Sequence, residues 1–283
     1  MNRRDLFARS ALLAAGTVAG RAAKSTEDEL IDTNVTLGDW VVRRSWADSP
    51  ATLIARLRRH GVTSAWAAST EGVLHTDIAG ANARLAAACA DTILRPFGTV
   101  NPLAPDWEED VRRCAETHRM PGIRVFPSYH GYNVEDAPFA QLLAAATARG
   151  LLVQVALTIE DERSHNPVLT VPFVNVAALP EQMAKVPGAR VMLLNATSRV
   201  FAGTPLLARL ARAGVFLEIA TLEGVAGIEG LLARVPGARV CFGSHSPYFV
   251  FEAALLKLDE SELPPAQAAA VRQGHAPLAL SRA

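Results

Sequence analysis

The chain has 283 residues, half of them apolar, enough to bury a full core in one domain of the size at which parallel barrels stay single. Lysine plus arginine equals aspartate plus glutamate, 28 against 28, so no charge excess draws it to phosphate backbones or an anionic membrane, and nucleic acid is not an expected partner. Three cysteines, Cys89, Cys114 and Cys241, have no paired spacing, and Cys241 sits inside an apolar run, so neither a zinc site nor a disulfide framework is expected.

In chain order, the first residues, MNRRDLFARSALLAAGTVAGRAA, join Arg3 and Arg4 to an alanine-rich apolar stretch followed by small residues. That is the layout of a twin-arginine export signal, with an ordinary basic amphipathic helix start as the alternative. Ala11 to Gly20 is too short to anchor a mature protein, which takes about 20 apolar residues. The expected division is an export signal over 1–24 and a folded domain over 25–283, in a periplasmic or otherwise exported protein with no membrane partner once the signal is removed.

From Glu29 onward, eight short aliphatic or β-branched runs predict strands: ELIDTNV, VTSAWAA, ILRPFGTV, GIRVFP, LLVQVAL, RVMLLNA, GVFLEIAT and RVCFGS. Between them lie ATLIARLRRH, IAGANARLAAACA, WEEDVRRCAETH, PFAQLLAAATARG, VNVAALPEQMAKV, PLLARLARAG and GIEGLLARV, apolar on one face and often closed by glycine, as crossover helices are. KVPGARVMLL and RVPGARVCFG reuse one helix-to-strand turn. No GxGxxG follows the first strand, and eight units favour a closed α/β barrel of the (β/α)8, or TIM, type over a doubly wound sheet. Phe249 to Arg282 supplies the last helix and a C-terminal cap. Chemistry is then expected where the strands end at their C-terminal rim.

At those ends IDTNVTLGDW resembles the opening strand of the amidohydrolase-related family, which reads IDxHxH. GIRVFPSYHGYNVEDAPFAQLLAAATARGLLVQVAL resembles its central units, and VCFGSHSPYFVFEAALLKL its last strand and helix, usually FGSDxP. The resemblance implies a metal-dependent hydrolase or lyase of small molecules. It also implies that the metal-ligand positions of strands one, five, six and eight fall here on Asn34 and Thr36, near Ala156, on Asn195 and on His245. None is the residue the family uses, and amides bind zinc weakly. No tightly bound cofactor is therefore expected. The alternative is a divalent metal relocated onto His130, His165, His245 and one carboxylate.

Strand alternation turns Asp32 inward with Asn34, Gln154 with Ala156, and Asn195 inward as well. Arg124 and Glu218 are lone charges within apolar strands and must be paired or reach water. Two readings stand: a structural ion network of Arg124, Asp32 and Glu218, or a polar pocket in which Arg124 clamps a substrate carboxylate. The loops after strands four and five bring His130 and Tyr132, then Glu160, Asp161, Glu162, Arg163 and His165, to the same rim, with solvated charge and loop packing as the plain alternatives. His245, His130, His165 and Asn195 are the candidate catalytic residues. Asn34, Arg124, Tyr132, Gln154, Arg163 and Glu218 are the candidate substrate contacts. His60, His75, His118 and His275 read as surface residues, and Trp40 as a wall of the pocket. The expected activity is hydrolysis or lysis of a small carboxylate-bearing molecule. A barrel that binds such a molecule without catalysis, or a hydrolase with a relocated metal, remain the alternatives, and self-association is left open.

Overall fold

The computed structural model describes residues 29–281, apart from 43, 44, 46, 48, 162 and 164. The segment expected as an export signal, Trp46 and Glu162 therefore lie outside the described residues. Eight strands follow in order, β1 (Leu30–Leu37), β2 (Val62–Ser69), β3 (Leu94–Thr99), β4 (Gly122–Val125), β5 (Leu152–Ala156), β6 (Val191–Leu194), β7 (Phe216–Glu218) and β8 (Arg239–Cys241). Each pairs in parallel with the next in sequence. Just beyond β8 the chain meets β1 again: Thr33 N–H donates to the Phe242 carbonyl at 3.0 Å and Thr36 N–H to that of Ser246 at 2.8 Å. The sheet so closes into a (β/α)8 barrel, as the eight alternating runs predict.

The crossovers are α1 (Pro50–Arg59), α2 (Ile78–Cys89), α3 (Trp107–Arg112), α4 (Ala137–Ala148), α5 (Leu179–Ala184), α6 (Thr204–Arg212) and α7 (Gly227–Arg234), with α8 (Phe251–Asp259) after β8. Their starts are written locally. Ser49 caps α1 by accepting from Thr52 N–H with Pro50 in the first turn, and Asp77 caps α2 by accepting from Gly80 N–H at 2.8 Å. The fifth crossover departs from expectation: the helix predicted from Val174 begins only at Leu179. Pro180 fits a first turn but no helix interior, and Val174 and Val176 instead bury alternately against the main core.

Two layers divide the barrel interior. Trp66 stacks on Phe97 at 5.0 Å, and with Leu152, Met192, Phe216 and Cys241 they fill the N-terminal end. Ala276 and Ala279 of the C-terminal helical segment close that end, held by Phe242 N–H to the Val271 carbonyl and by His275 Nδ1, 2.7 Å from the Val240 carbonyl. His275 is thus a fastener of the cap rather than a surface residue. All three cysteines are buried and free, in accord with their spacing, and burial pushes the Cys89 thiol up to about 12. Above the apolar plug the interior turns polar, and there the site lies.

Candidate functional site at the barrel mouth

The floor of the mouth is a set of buried polar groups that answer one another. Asp32 accepts from the backbone N–H of Asn34 and of Ser244, both at 3.0 Å, and from the Ser244 hydroxyl at 2.5 Å. Burial pushes its carboxyl up to about 7 in spite of these bonds, and the nearby Glu218 charge adds to the rise. Glu218 accepts from Asn195 N–H at 2.6 Å, Ala220 N–H at 2.5 Å and the Asn34 side-chain amide at 3.3 Å. Its carboxyl too is raised by burial. Gly243 is required beside it, because a Cβ there would stand 2.5 Å from Glu218 Oε2. Asn34 also donates to Asn195 Oδ1 at 2.9 Å, and Asn195 donates on to the Thr158 carbonyl at 2.7 Å.

Arg124 spans this floor. Its Nε donates to Gln154 Oε1 at 2.9 Å, Nη1 to the Val35 carbonyl at 3.1 Å and to Thr36 Oγ1 at 3.4 Å, and Nη2 to the Trp66 carbonyl at 3.3 Å. Four of its five N–H groups are so engaged, all by uncharged acceptors, and burial brings the guanidinium down to about 9 while Glu218 and Asp32 hold it up. Neither sequence reading survives whole. Arg124 ties β1, β2 and β5 to β4 through neutral groups, feels the two carboxylates only through space, and keeps one N–H of a clamp. Gln154 is the other half of the tie, donating to the Thr33 carbonyl at 2.8 Å.

Above the floor, Asn34, Thr36, Arg124, Ala156, Asn195 and His245 face a cavity of about 10 Å³, room for a single water. Asn195 and His245 both take left-handed backbone, at φ +55° and +54°, where β6 and β8 give way to loops. Non-glycine residues rarely do so, and such outliers gather at functional positions. His245 Nε2 lies 2.7 Å from the Ile159 carbonyl, an acceptor only, so that nitrogen carries the proton and Nδ1 is the basic one in the neutral ring. Trp40, Phe126, Ile159 and Tyr248 roof the mouth, Trp40 edge-on to Tyr129 at 5.5 Å. Trp40, expected as a wall of the pocket, packs with Val73, Phe126 and Ala156 beside the mouth without lining its cavity. Asn34 Oδ1 and Trp40 Nε1 are buried without a hydrogen-bond partner among the described residues.

The remaining candidates scatter. Tyr132 is 4 % exposed and lies in the main apolar core. Gly131, at φ +79°, turns the chain back and carries the phenol away from the mouth. His130 stays at the rim, its Nε2 3.2 Å from the Gly72 carbonyl, and burial holds its imidazole below the usual range. His165 and Arg163 line a larger groove outside the mouth, of about 1300 Å³. Arg163 pairs there with Asp161 at 2.6 Å and Glu223 at 3.4 Å. Sequence reasoning missed Ser244, which holds Asp32, and Tyr248; both lie in the GSHSPYF block, whose concentration of polar and aromatic residues after the last strand was the available signal.

Comparison with known proteins now decides the lineage: the amidohydrolase family profile matches residues 48–276. The chain belongs to the amidohydrolase family. A search of curated protein sequences returned no match. Among solved structures, the barrel is similar to a 5-carboxyvanillate decarboxylase from Novosphingobium aromaticivorans, determined with bound manganese, at 15 % identity and TM-score 0.69 over 90 % of this chain and 98 % of that one. It is also similar to the 5-carboxyvanillate decarboxylase of Sphingomonas paucimobilis, at 13 % identity and TM-score 0.67 over 90 % and 99 %. A probable 2-pyrone-4,6-dicarboxylic acid hydrolase from Acinetobacter baumannii matches at 10 % identity and TM-score 0.60 over 89 % and 98 %. At these identities the likeness is one of fold.

A divalent ion of the kind bound in such relatives does not fit the side chains that face this mouth. The polar lining is two amides bonded to each other, with Asn34 Oδ1 open, two threonine hydroxyls, of which Thr36 accepts from Arg124 and Thr70 donates to the Leu37 carbonyl, the guanidinium itself and one imidazole. Zinc takes imidazoles, thiolates and carboxylates, and manganese carboxylate and carbonyl oxygens, several at once; here one imidazole and one open amide oxygen stand beside a guanidinium, with no carboxylate to offset the charge of an ion. Nor do three histidines, cysteines or carboxylates converge elsewhere among the described residues, so His130, His165 and His245 do not assemble a relocated centre there.

Proposed function

We propose that this protein is an amidohydrolase-related enzyme, a hydrolase or lyase, that acts on a small carboxylate-bearing molecule at the barrel mouth without a divalent ion at the family's usual position. The observation that carries the reading is the floor of the mouth, where Asn34 and Asn195 are bonded to each other, Thr36 accepts from Arg124, Ala156 offers no donor atom, and a single imidazole, His245, faces the cavity. The names of the similar structures, decarboxylases and a dicarboxylic acid hydrolase, support the substrate class.

His245, fixed by the Ile159 carbonyl, is the proton-transfer group. In a lysis that releases carbon dioxide, the breaking carbon–carbon bond leaves its electron pair on the ring or chain carbon, and the imidazolium proton goes to that carbon. In a hydrolysis, Nδ1 takes the proton of the attacking water. Asn34 Oδ1 and the uncommitted Arg124 N–H orient the reacting group. A molecule of this size enters only when the roof of Trp40, Ile159 and Tyr248 parts. That closed cavity favours a second reading, a barrel that binds without catalysis. Export by the twin-arginine route belongs to the proposal on the strength of Arg3 and Arg4 alone.

The test is elemental mass spectrometry on signal-free protein purified without chelator, joined to a screen of aromatic mono- and dicarboxylates for carbon dioxide release or ring opening. Expected are less than about a tenth of a metal ion per chain and turnover that is insensitive to chelator and lost in His245→Ala. Roughly one manganese or zinc per chain, lost in that variant, would overturn the metal-independent chemistry. Saturable binding with no turnover would favour the second reading.

A further inference from the structure

Beside the mouth, and sharing Thr158, Ala220 and Ser244 with its floor and Tyr248 with its roof, the loops after β5, β6, β7 and β8 enclose the groove of about 1300 Å³. One wall is hydrocarbon that water should not be left to cover: Val225, Val250 and Leu256 are 87 %, 62 % and 56 % exposed and continue the faces of Tyr248 and Phe249. The described lining carries four carboxylates, Glu160, Asp161, Glu223 and Glu260, against two permanent cations, Arg163 and Lys257. Both cations are committed. Arg163 is bonded to Asp161 at 2.6 Å and lies 3.4 Å from Glu223, and the Lys257 ammonium donates to the carbonyls of Ile219, at 3.1 Å, and of Ala220.

Glu160 is the exception. It is only 7 % exposed, it lines the groove, and its Oε2 has no hydrogen-bond partner among the described residues. A buried carboxylate oxygen without a donor is costly, and the fitting remedy is a donor that carries positive charge. No described cation of the groove is placed to supply one.

We propose that this groove is a binding site for a primary or secondary organic amine with an aromatic or aliphatic body, its ammonium on the Glu160 carboxylate and its hydrocarbon along Tyr248, Phe249 and Val250. The site goes beyond the reaction proposed above and does not depend on it. The amine donates an N–H to the carboxylate, and the two aromatic faces favour a cation beside them. An anion of the same shape meets four carboxylates and no uncommitted cation. The site therefore prefers the charge opposite to that of the carboxylate substrate, which makes the two assignments separable.

The experiment is isothermal titration of the signal-free protein with 3-phenylpropylamine, 3-phenylpropan-1-ol and 3-phenylpropanoate, one skeleton with three head groups. Expected is tighter binding of the amine than of the alcohol, and no competition of the acid with the amine. Glu160→Gln should weaken the amine about tenfold and leave the alcohol unchanged, the effect of one charge-assisted hydrogen bond. The alcohol binding as tightly as the amine, the acid competing with the amine, no saturable binding of the amine, or an amine affinity unmoved by Glu160→Gln would each overturn the proposal. The wild-type ranking decides it even if the variant fails to fold. Titration requires no turnover, so failure here leaves the reaction at His245 standing, and the reverse also holds.

Discussion

Asp32→Asn is expected to remove a pH dependence that the barrel floor imposes on stability. Burial pushes the Asp32 carboxyl from its ordinary 3.8 up to about 7, while the unfolded chain titrates near the ordinary value. Between about pH 4 and pH 7 the folded protein then holds a proton that the unfolded chain has released. The stability this group contributes is present in full below the unfolded value and is lost as pH rises through the folded one. Each pH unit in that window is worth about 1.4 kcal/mol, so the whole window bounds the effect at about 4 kcal/mol, with Glu218 titrating in the same pocket and taking a share. Asparagine is uncharged throughout, and its Oδ1 still accepts from Asn34 N–H and Ser244 N–H. Urea unfolding of both proteins at about pH 4, 5.5 and 7 reads the difference directly, and other titrating groups cancel between them. The variant should gain on the wild type by about 2–4 kcal/mol from the lowest pH to the highest. A difference flat to within about 0.5 kcal/mol, or one moving toward the wild type, would refute the reasoning and mean that the Arg124 charge, not burial, governs Asp32.

Two further substitutions probe the same floor. Glu218→Ala strips the acceptor from two backbone N–H groups and from the Asn34 amide, and at about 1–3 kcal/mol for each orphan should lower the melting temperature by roughly 10 °C in a domain of this size. A drop under about 3 °C in a thermal scan would remove Glu218 as the organiser of β6 and β7. Arg124→Lys keeps the charge but cannot reach acceptors on three strands with one ammonium, and should cost about 2–3 kcal/mol in urea unfolding. Equal stability of that variant would show that charge, rather than the planar fork, is what the interior needs.

Much of this was legible in the chain. The order of strands and crossovers follows from the alternation of short aliphatic runs with amphipathic segments, the inward set of Asp32, Asn34, Gln154 and Asn195 from strand parity, and the burial of Glu218 from its place as a lone charge in an apolar strand. The fifth crossover is shorter than its spacing predicts, because Val174 and Val176 continue a helical pattern whose helix opens only at Leu179 with Pro180 in its first turn. The loop of Tyr132 leaves the C-terminal end of β4 and so predicts a rim residue; one left-handed glycine turns it into the core.

By itself the sequence determined which residues form each βα unit, since periodicity and capping are local properties of the backbone, and it determined the chemical types that meet at the strand ends. Only the tertiary structure decided what those types do to one another. Asn34 and Asn195 lie 161 positions apart, and Asp32 and Ser244 lie 212 apart, so neither pair exists until the barrel closes. Whether Arg124 is a substrate clamp or a tie between strands depends on which carbonyls the closed interior places around it. A hydrogen bond is won or lost over less than an ångström, and that distance is set by packing across the whole domain rather than by any neighbour in the chain.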